Sequence, residues 1–206
     1  MSEPSITITR ARDLDADPSQ LSAAERGVLA LPPGARRDEW IRGRIALRRA
    51  LVALLGPAGA GVDILVAPDG GPAPTGGPSC AVSLSHDGDW IAVAAAAGPA
   101  IRLGIDLCAR DHAARIAAVL ARLRLHFELD PCLQWAALEA TLKLRRLSIF
   151  ALREHPISLR ERDRERDRDR DRDRGATLEV LGLGAPALVR WRGEPGYVVA
   201  WTAEPA

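Results

Sequence analysis

Lysine is nearly missing from this chain. Of 28 basic residues in a sequence of 206, one is a lysine, Lys143, and the rest are arginines. The imbalance goes with a high Ala, Gly and Pro content and reads as a GC-rich coding bias, so arginine abundance carries little functional meaning. Cysteine is scarce as well. Cys80, Cys108 and Cys132 are scattered and odd in number, which suits a reducing cytoplasm better than a disulfide framework. Neither sign of charge is in excess. A formal net charge of +1 gives no global field that would gather nucleic acid or an anionic membrane. No apolar run approaches membrane-spanning length. Met1–Arg12 has no charged-then-apolar leader pattern. The expectation is a cytoplasmic protein that binds neither nucleic acid nor membrane.

What is present is enough for a packed fold. Apolar residues make up 47% of the chain, an ordinary globular share, and the length fits one domain or two small lobes. Ile6–Thr9 is β-branched and reads as a strand. Ser22 with Glu25 predicts a capping box opening a helix through Leu29. Arg36–Leu55 is an amphipathic helix, with Trp40, Ile41, Ile45, Leu47, Leu51, Val52 and Leu55 on its apolar side and Gly56-Pro57 at its end. Val62–Val66 is a strand, and Pro68–Pro78 a Gly/Pro-rich loop. Ala81–Ala97 reads as a hairpin around Asp87-Gly88-Asp89, with Val82 and Leu84 inward, Ser83 and Ser85 opposite, and His86 at the strand end.

Ile101–Cys108 alternates as a half-buried strand. Ile101, Leu103, Ile105 and Leu107 form its core face, and Arg102, Gly104, Asp106 and Cys108 the other. A glycine inside a strand often marks a close approach. A helix is expected over Asp111–Leu123. Asp130-Pro131 reads as an N-cap with proline at the first helical position, opening a helix to about Leu152. Along it Leu133, Ala137, Ala140, Leu144 and Leu147 make a core stripe, while Trp135, Glu139, Lys143 and Arg146 share another face. Thr177–Val180, Ala187–Trp191 and Tyr197–Thr202 read as strands. Arg160–Arg174 alternates Arg with acid. Its charges cancel, which argues against a phosphate-binding patch, and its low hydrophobicity reads as a disordered insertion.

Three constellations carry possible chemistry: Ser85-His86, Asp106, and Glu139 with Lys143. Each has a bland alternative. His86 can be a surface residue, Asp106 an exposed strand end, and Glu139–Lys143 an i, i+4 surface pair. A metal site from Cys108, His112, His126 and Cys132 has no close ligand pair at structural-zinc spacing. The lysine count weighs on the other side, because the one Lys of the chain lies a turn after Glu139. Arg and Lys differ in shape, and a compact point charge suits a single phosphate oxygen. Two carboxylates can hold Mg²⁺ on a pyrophosphate, and a Lys and a His can neutralise phosphate charge.

In this order the motifs resemble the 4′-phosphopantetheinyl transferases of the two-lobed, monomeric type. Arg37–Arg48 (RDEWIRGRIALR) is similar to the family's early R-x-x-[FW]-x-x-G-R helix. Pro68–Pro72 (PDGGP) stands where the family has a G-K/R-P loop. Ser83–His86 (SLSH), Leu103–Cys108 (LGIDLC), Trp135–Lys143 (WAALEATLK) and Pro195–Ala200 (PGYVVA) resemble its later motifs. The resemblance implies an α+β fold of two pseudo-related lobes, 1–100 and 101–206, with the active site between them and the insertion at 160–174. It implies transfer of 4′-phosphopantetheine from coenzyme A to a serine of an acyl or peptidyl carrier protein, with Mg²⁺, by a monomer. On that reading Asp106 and Glu139 hold the metal and Glu139 takes the serine proton. Lys143 and His86 neutralise phosphate with help from Ser85. Arg44, with Arg37 and Arg48, contacts coenzyme A or packs the lobe. Cys108, Leu138 and Gly71 depart from the pattern at an acid, a lysine and a basic position. They leave open a catalytically weakened member that binds coenzyme A or a carrier protein.

Overall fold

The computed structural model describes residues 3–162 and 177–206. The chain divides into two compact units, Met1–Leu103 with Glu204–Ala206, and Gly104–Ala203. Both mix helix with antiparallel sheet, so the class is α+β. No helix among the described residues is long and apolar enough to cross a membrane.

The first unit runs β1 (Ser5–Arg10), α1 (Ala23–Gly27), α2 (Ala35–Leu55), β2 (Asp63–Val66), β3 (Pro72–Thr75), β4 (Cys80–Asp87) and β5 (Trp90–Ala97). Its main sheet has the order β1-β5-β4, antiparallel throughout. The β4–β5 turn is the expected hairpin. Asp87 pairs with Trp90, and Gly88, the first of the two loop residues, takes φ +56°, which costs a glycine nothing. The capping box forms: Ser22 Oγ accepts from Glu25 N at 3.1 Å and Ser22 N donates to Glu25 Oε2 at 2.7 Å. α2 packs on β5, β4 and β1. Ile41, Ile45, Leu47 and Leu51 face a core that includes Val82, Ile91 and Val93. Val52, expected on the apolar side, is exposed. One strand was not legible. The Pro68–Pro78 segment, expected as loop, contains β3, which pairs with β2 as a two-stranded ribbon. Both strands of a ribbon are edges, so Pro72 and Pro74 forfeit no interior ladder bond.

The second unit starts within β6 (Ile101–Ala109) and continues α3 (Ala113–Arg122), α4 (Pro131–Arg145), α5 (Ala151–Glu154), β7 (Ser158–Arg162), β8 (Thr177–Leu181), β9 (Ala187–Gly193) and β10 (Tyr197–Pro205). The sheet order is β6-β10-β9-β8-β7. α4 packs on β8 and β9, and α3 packs on α4. β7 reaches into the Arg/acid tract: Arg160 lies opposite Glu179 and Arg162 opposite Thr177. Residues 160–162 are therefore strand, not disordered insertion. Opposite charges across a strand pair contribute to this, with Arg162 Nη2 3.7 Å from Glu179 Oε1. The rest of the tract lies outside the described residues.

α4 begins as expected. Asp130 caps it by accepting from Leu133 N at 3.0 Å, and Pro131 takes the first helical position. It ends earlier than expected, at Arg145 rather than near Leu152. Arg146 turns left-handed, φ +55°. Arg146 N then bonds to Lys143 O at 3.2 Å and Leu147 N to Leu142 O at 2.9 Å. These are the two bonds of a Schellman stop. Leu147 thus leaves the core stripe and is exposed. A non-glycine residue in this conformation costs about 1 kcal/mol relative to glycine. Arg146→Gly is expected to raise stability by about that amount, measured as the shift of the urea midpoint at unchanged m-value.

Candidate functional site

The site in the second unit is built by one close approach. A β-carbon on residue 104 would overlap the carbonyl oxygen of Ala140. Gly104 lets the backbone of α4 come down onto β6, as a glycine in a strand allows. Neighbouring residues on that face then meet the helix. Lys143 Nζ lies 2.7 Å from Asp106 Oδ1 and donates to Ile105 O at 3.0 Å. Cys108, two residues on, belongs to the α4 core. β6 is therefore buried on both faces from Leu103 to Ala109, not half-buried as its alternation suggested.

α4 is itself buried nearly all round, as a central helix must be. Between Cys132 and Leu144 every residue is buried except Trp135, Glu139 and Lys143. These three recur every fourth residue and form the one stripe of that stretch that reaches solvent. The bland reading of Glu139 with Lys143 as a surface pair does not hold. Lys143 pairs across to Asp106, whose side chain is only 7% exposed, while Lys143 keeps 31%. Glu139 forms no hydrogen bond or ion pair among the described residues. Burial pushes its carboxyl above the ordinary glutamate range. The nearby Asp106 carboxylate pushes the same way, and Lys143 opposes. Two carboxylates and an ammonium thus share one half-desolvated place.

The helix is held there by polar ties. Gln134 Nε2 donates to Phe127 O at 3.0 Å and Leu129 O at 2.6 Å. Arg110 donates to Glu194 O at 2.8 Å and to Asp130 Oδ2 at 3.2 Å. Neither Gln134 nor Arg110 stood out in the sequence. Arg145 spends a guanidinium N–H on Ala185 O at 2.8 Å.

Two departures from the family pattern fall in core. Cys108 is buried, and Leu138 has no exposure. A carboxylate or ammonium at either place would be charge in an apolar interior. Among the described residues no group of three or more His, Cys, Asp or Glu side chains could hold a metal. That includes Cys108 with His112, His126 and Cys132. Among the described residues Asp106 and Glu139 are the acids that act on one another here. This set fits Mg²⁺, which characteristically takes one or two carboxylates and completes its shell with water and substrate phosphate.

The remaining candidates lie in the first unit. Ser85 is buried on β4. His86, at the end of β4, is exposed and has Nδ1 2.8 Å from Glu39 Oε1. Arg44 is buried, lies over the Trp40 ring at 4.8 Å and donates to Leu65 O at 3.3 Å. Its desolvation lowers the guanidinium's proton affinity, opposed by Glu25. Arg48 pairs with the fully buried Glu25 and donates to Ala60 O at 3.0 Å and Val62 O at 3.3 Å. These two arginines tie α1 and β2 to α2, which is lobe packing. Arg37, on the first turn of α2, stays partly exposed. Gly71 sits in the β2–β3 turn, its N–H on Asp69 Oδ1 at 3.0 Å.

No family model matches the chain, and no curated protein matches it.

The raised proton affinity of Glu139 has a sign that can be tested. The folded state holds this proton more tightly than the unfolded chain. Its contribution to stability is therefore full below the ordinary glutamate value and lost as pH rises through the folded value. Ionised Glu139 costs stability at neutral pH. In metal-free protein, Glu139→Gln is expected to be more stable than the parent at pH 7, with the gain disappearing at about pH 4. Urea unfolding at the two pH values checks it, and a Gln variant less stable at pH 7 would contradict the electrostatics.

Proposed function

We propose that the protein transfers 4′-phosphopantetheine from coenzyme A to a serine of an acyl or peptidyl carrier protein, its two units being the two lobes of such a transferase. The observation that carries the reading is the solvent-reaching stripe of α4. In a helix otherwise sunk in core, an acid and the chain's single lysine stand beside a strand carboxylate. Such a set suits phosphoryl transfer, where catalysis is mostly positioning and charge neutralisation. Asp106 and Glu139 would hold Mg²⁺ against the pyrophosphate. The metal, when bound, supplies charge neutralisation on the phosphate oxygens.

Glu139 is suited to accept the serine proton. Its carboxylate is partly exposed and would take that proton directly or through a water. The serine oxygen forms the new bond to the β-phosphorus of coenzyme A. The bond from that phosphorus to the bridging oxygen breaks, and adenosine 3′,5′-bisphosphate leaves with the electron pair. Lys143 already holds a carboxylate oxygen at 2.7 Å, and its ammonium would neutralise a phosphate oxygen bound beside it. His86 and Ser85 are proposed as further phosphate contacts on the resemblance alone. Arg44 is not among these contacts, since its guanidinium bonds to Leu65 O and lies over the Trp40 ring within its own unit.

A second reading has an observation of its own. Positions 108 and 138 are core rather than charged, which leaves fewer charges than the family pattern carries. A non-catalytic module binding coenzyme A or a carrier protein fits that economy. Mass spectrometry separates the two. Apo carrier proteins incubated with the protein, coenzyme A and Mg²⁺ are expected to gain one phosphopantetheine. Asp106→Asn or Glu139→Gln is expected to lower kcat by roughly 10²–10⁴-fold. No mass gain on any carrier, with coenzyme A still bound, would establish the binding module instead.

A further inference from the structure

Cys108 and Cys132 are far apart in sequence and meet at one atom. Cys132 Sγ reaches from the first turn of α4 to Ala109 O at 3.6 Å, and Cys108 Sγ turns to the same oxygen at 3.7 Å. Two sulfurs on one oxygen can be no farther apart than those two contacts laid end to end. Both side chains are buried in the core of the second unit, and neither is in a disulfide. Cys80, the third cysteine, packs on the core of the first unit.

The meeting follows from the close approach at Gly104. Gly104, Asp106 and Cys108 share one face of β6. From Gly104 to Cys108 the strand advances about 13 Å at its usual rise. From Ala140 back to Cys132 the helix covers about 12 Å. α4 therefore runs back along β6, and the contacts of Gly104 with Ala140 and of Ala109 with Cys132 are two points of one approach.

We infer that Cys108 and Cys132 form a reversible redox clasp that ties β6 to α4. At rest both are thiols. The oxidant is hydrogen peroxide, which is small enough to enter when the first turn of α4 opens. One thiolate attacks a peroxide oxygen, the O–O bond breaks, and the sulfur becomes a sulfenic acid while hydroxide leaves and takes up a proton. The second thiolate attacks the sulfenic sulfur. The S–S bond forms, the S–O bond breaks, and a second water leaves. Two thiols and one peroxide thus give one disulfide and two waters, and a dithiol reverses the step by exchange. Burial makes the pair slow toward bulky oxidants. The closed clasp restricts the unfolded chain between residues 108 and 132. It also stiffens β6 two residues from Asp106. The clasp stands independently of the transferase reading.

The test treats the full chain with a small excess of hydrogen peroxide at neutral pH and maps its tryptic peptides without reduction. Trypsin cuts after Arg102, Arg110, Arg124 and Lys143, so Cys108 falls in peptide 103–110 and Cys132 in peptide 125–143. The expected product is these two peptides linked, two hydrogens lighter than the free pair, and separated again by dithiothreitol. The urea midpoint is expected to rise on oxidation and to return on reduction. Cys108→Ser and Cys132→Ala are each expected to lose the link and the redox-dependent midpoint, while Cys80→Ser keeps both. Should either core variant fold poorly, the peptide map of the parent decides alone. Both cysteines remaining thiols under peroxide overturns the inference. So does oxidation of either one to a sulfinic acid without a link, or a link to Cys80 in its place. An oxidised midpoint equal to or below the reduced one overturns it as well.

Discussion

The contact between Gly104 and the Ala140 carbonyl sets the geometry of the second unit. A strand and a helix normally stand apart by the depth of their side chains. Here one side chain is absent and the helix descends onto the strand backbone. Everything in the site follows from that depth. The Lys143 stem reaches both the Ile105 carbonyl and the Asp106 carboxylate. The rest of α4 sinks into core, leaving one stripe at the surface. Both faces of β6 are buried, so Asp106 is held in a place where a carboxylate without a cation would be costly.

The same charges do different work in the two units. In the first, Arg44 and Arg48 are spent on carbonyls, a tryptophan ring and the buried Glu25. Their planar, multi-donor heads suit that stitching. In the second, the tie between strand and helix is made by the one lysine, which leaves part of its length in solvent. Among the described residues Glu139 has no such tie, and burial with the neighbouring Asp106 carboxylate raises its proton affinity. An acid kept partly desolvated beside another acid is poor architecture and useful chemistry.

Much of this was legible in the sequence. The glycine within the Ile101–Cys108 alternation marked the close approach. Counting lysines singled out Lys143, and the i, i+4 spacing put it with Glu139 and Trp135 on the face that reaches solvent. The strands, the capping box and the Asp130-Pro131 start are local signals, and they formed. What was not legible depends on contacts remote in sequence or on residues acting against type. Nothing local says that Arg146 will adopt a glycine's conformation, so α4 read too long. Prolines hid β3, and a run of alternating charge hid the end of β7. Charge hid the burial of Arg44, because the sheltering Trp40, Leu65 and Glu25 are gathered only by folding. Cys108 and Leu138 read as gaps in a charged motif and are core. The partner of Lys143 was not legible for a related reason. The helix offered Glu139, and only the fold offers Asp106.

The account makes the descent of α4 onto β6 the origin of the site, and Gly104→Ala measures that most directly. The added methyl has no place to go except into the Ala140 carbonyl. The urea unfolding free energy is expected to fall by about 1–3 kcal/mol or more, the range for forcing atoms into a packed interior. Substitution of a strand glycine by alanine elsewhere would be neutral or mildly stabilising. An unfolding free energy equal to or above that of the parent would mean that α4 does not lie against β6 at Gly104, and would contradict the account at its base.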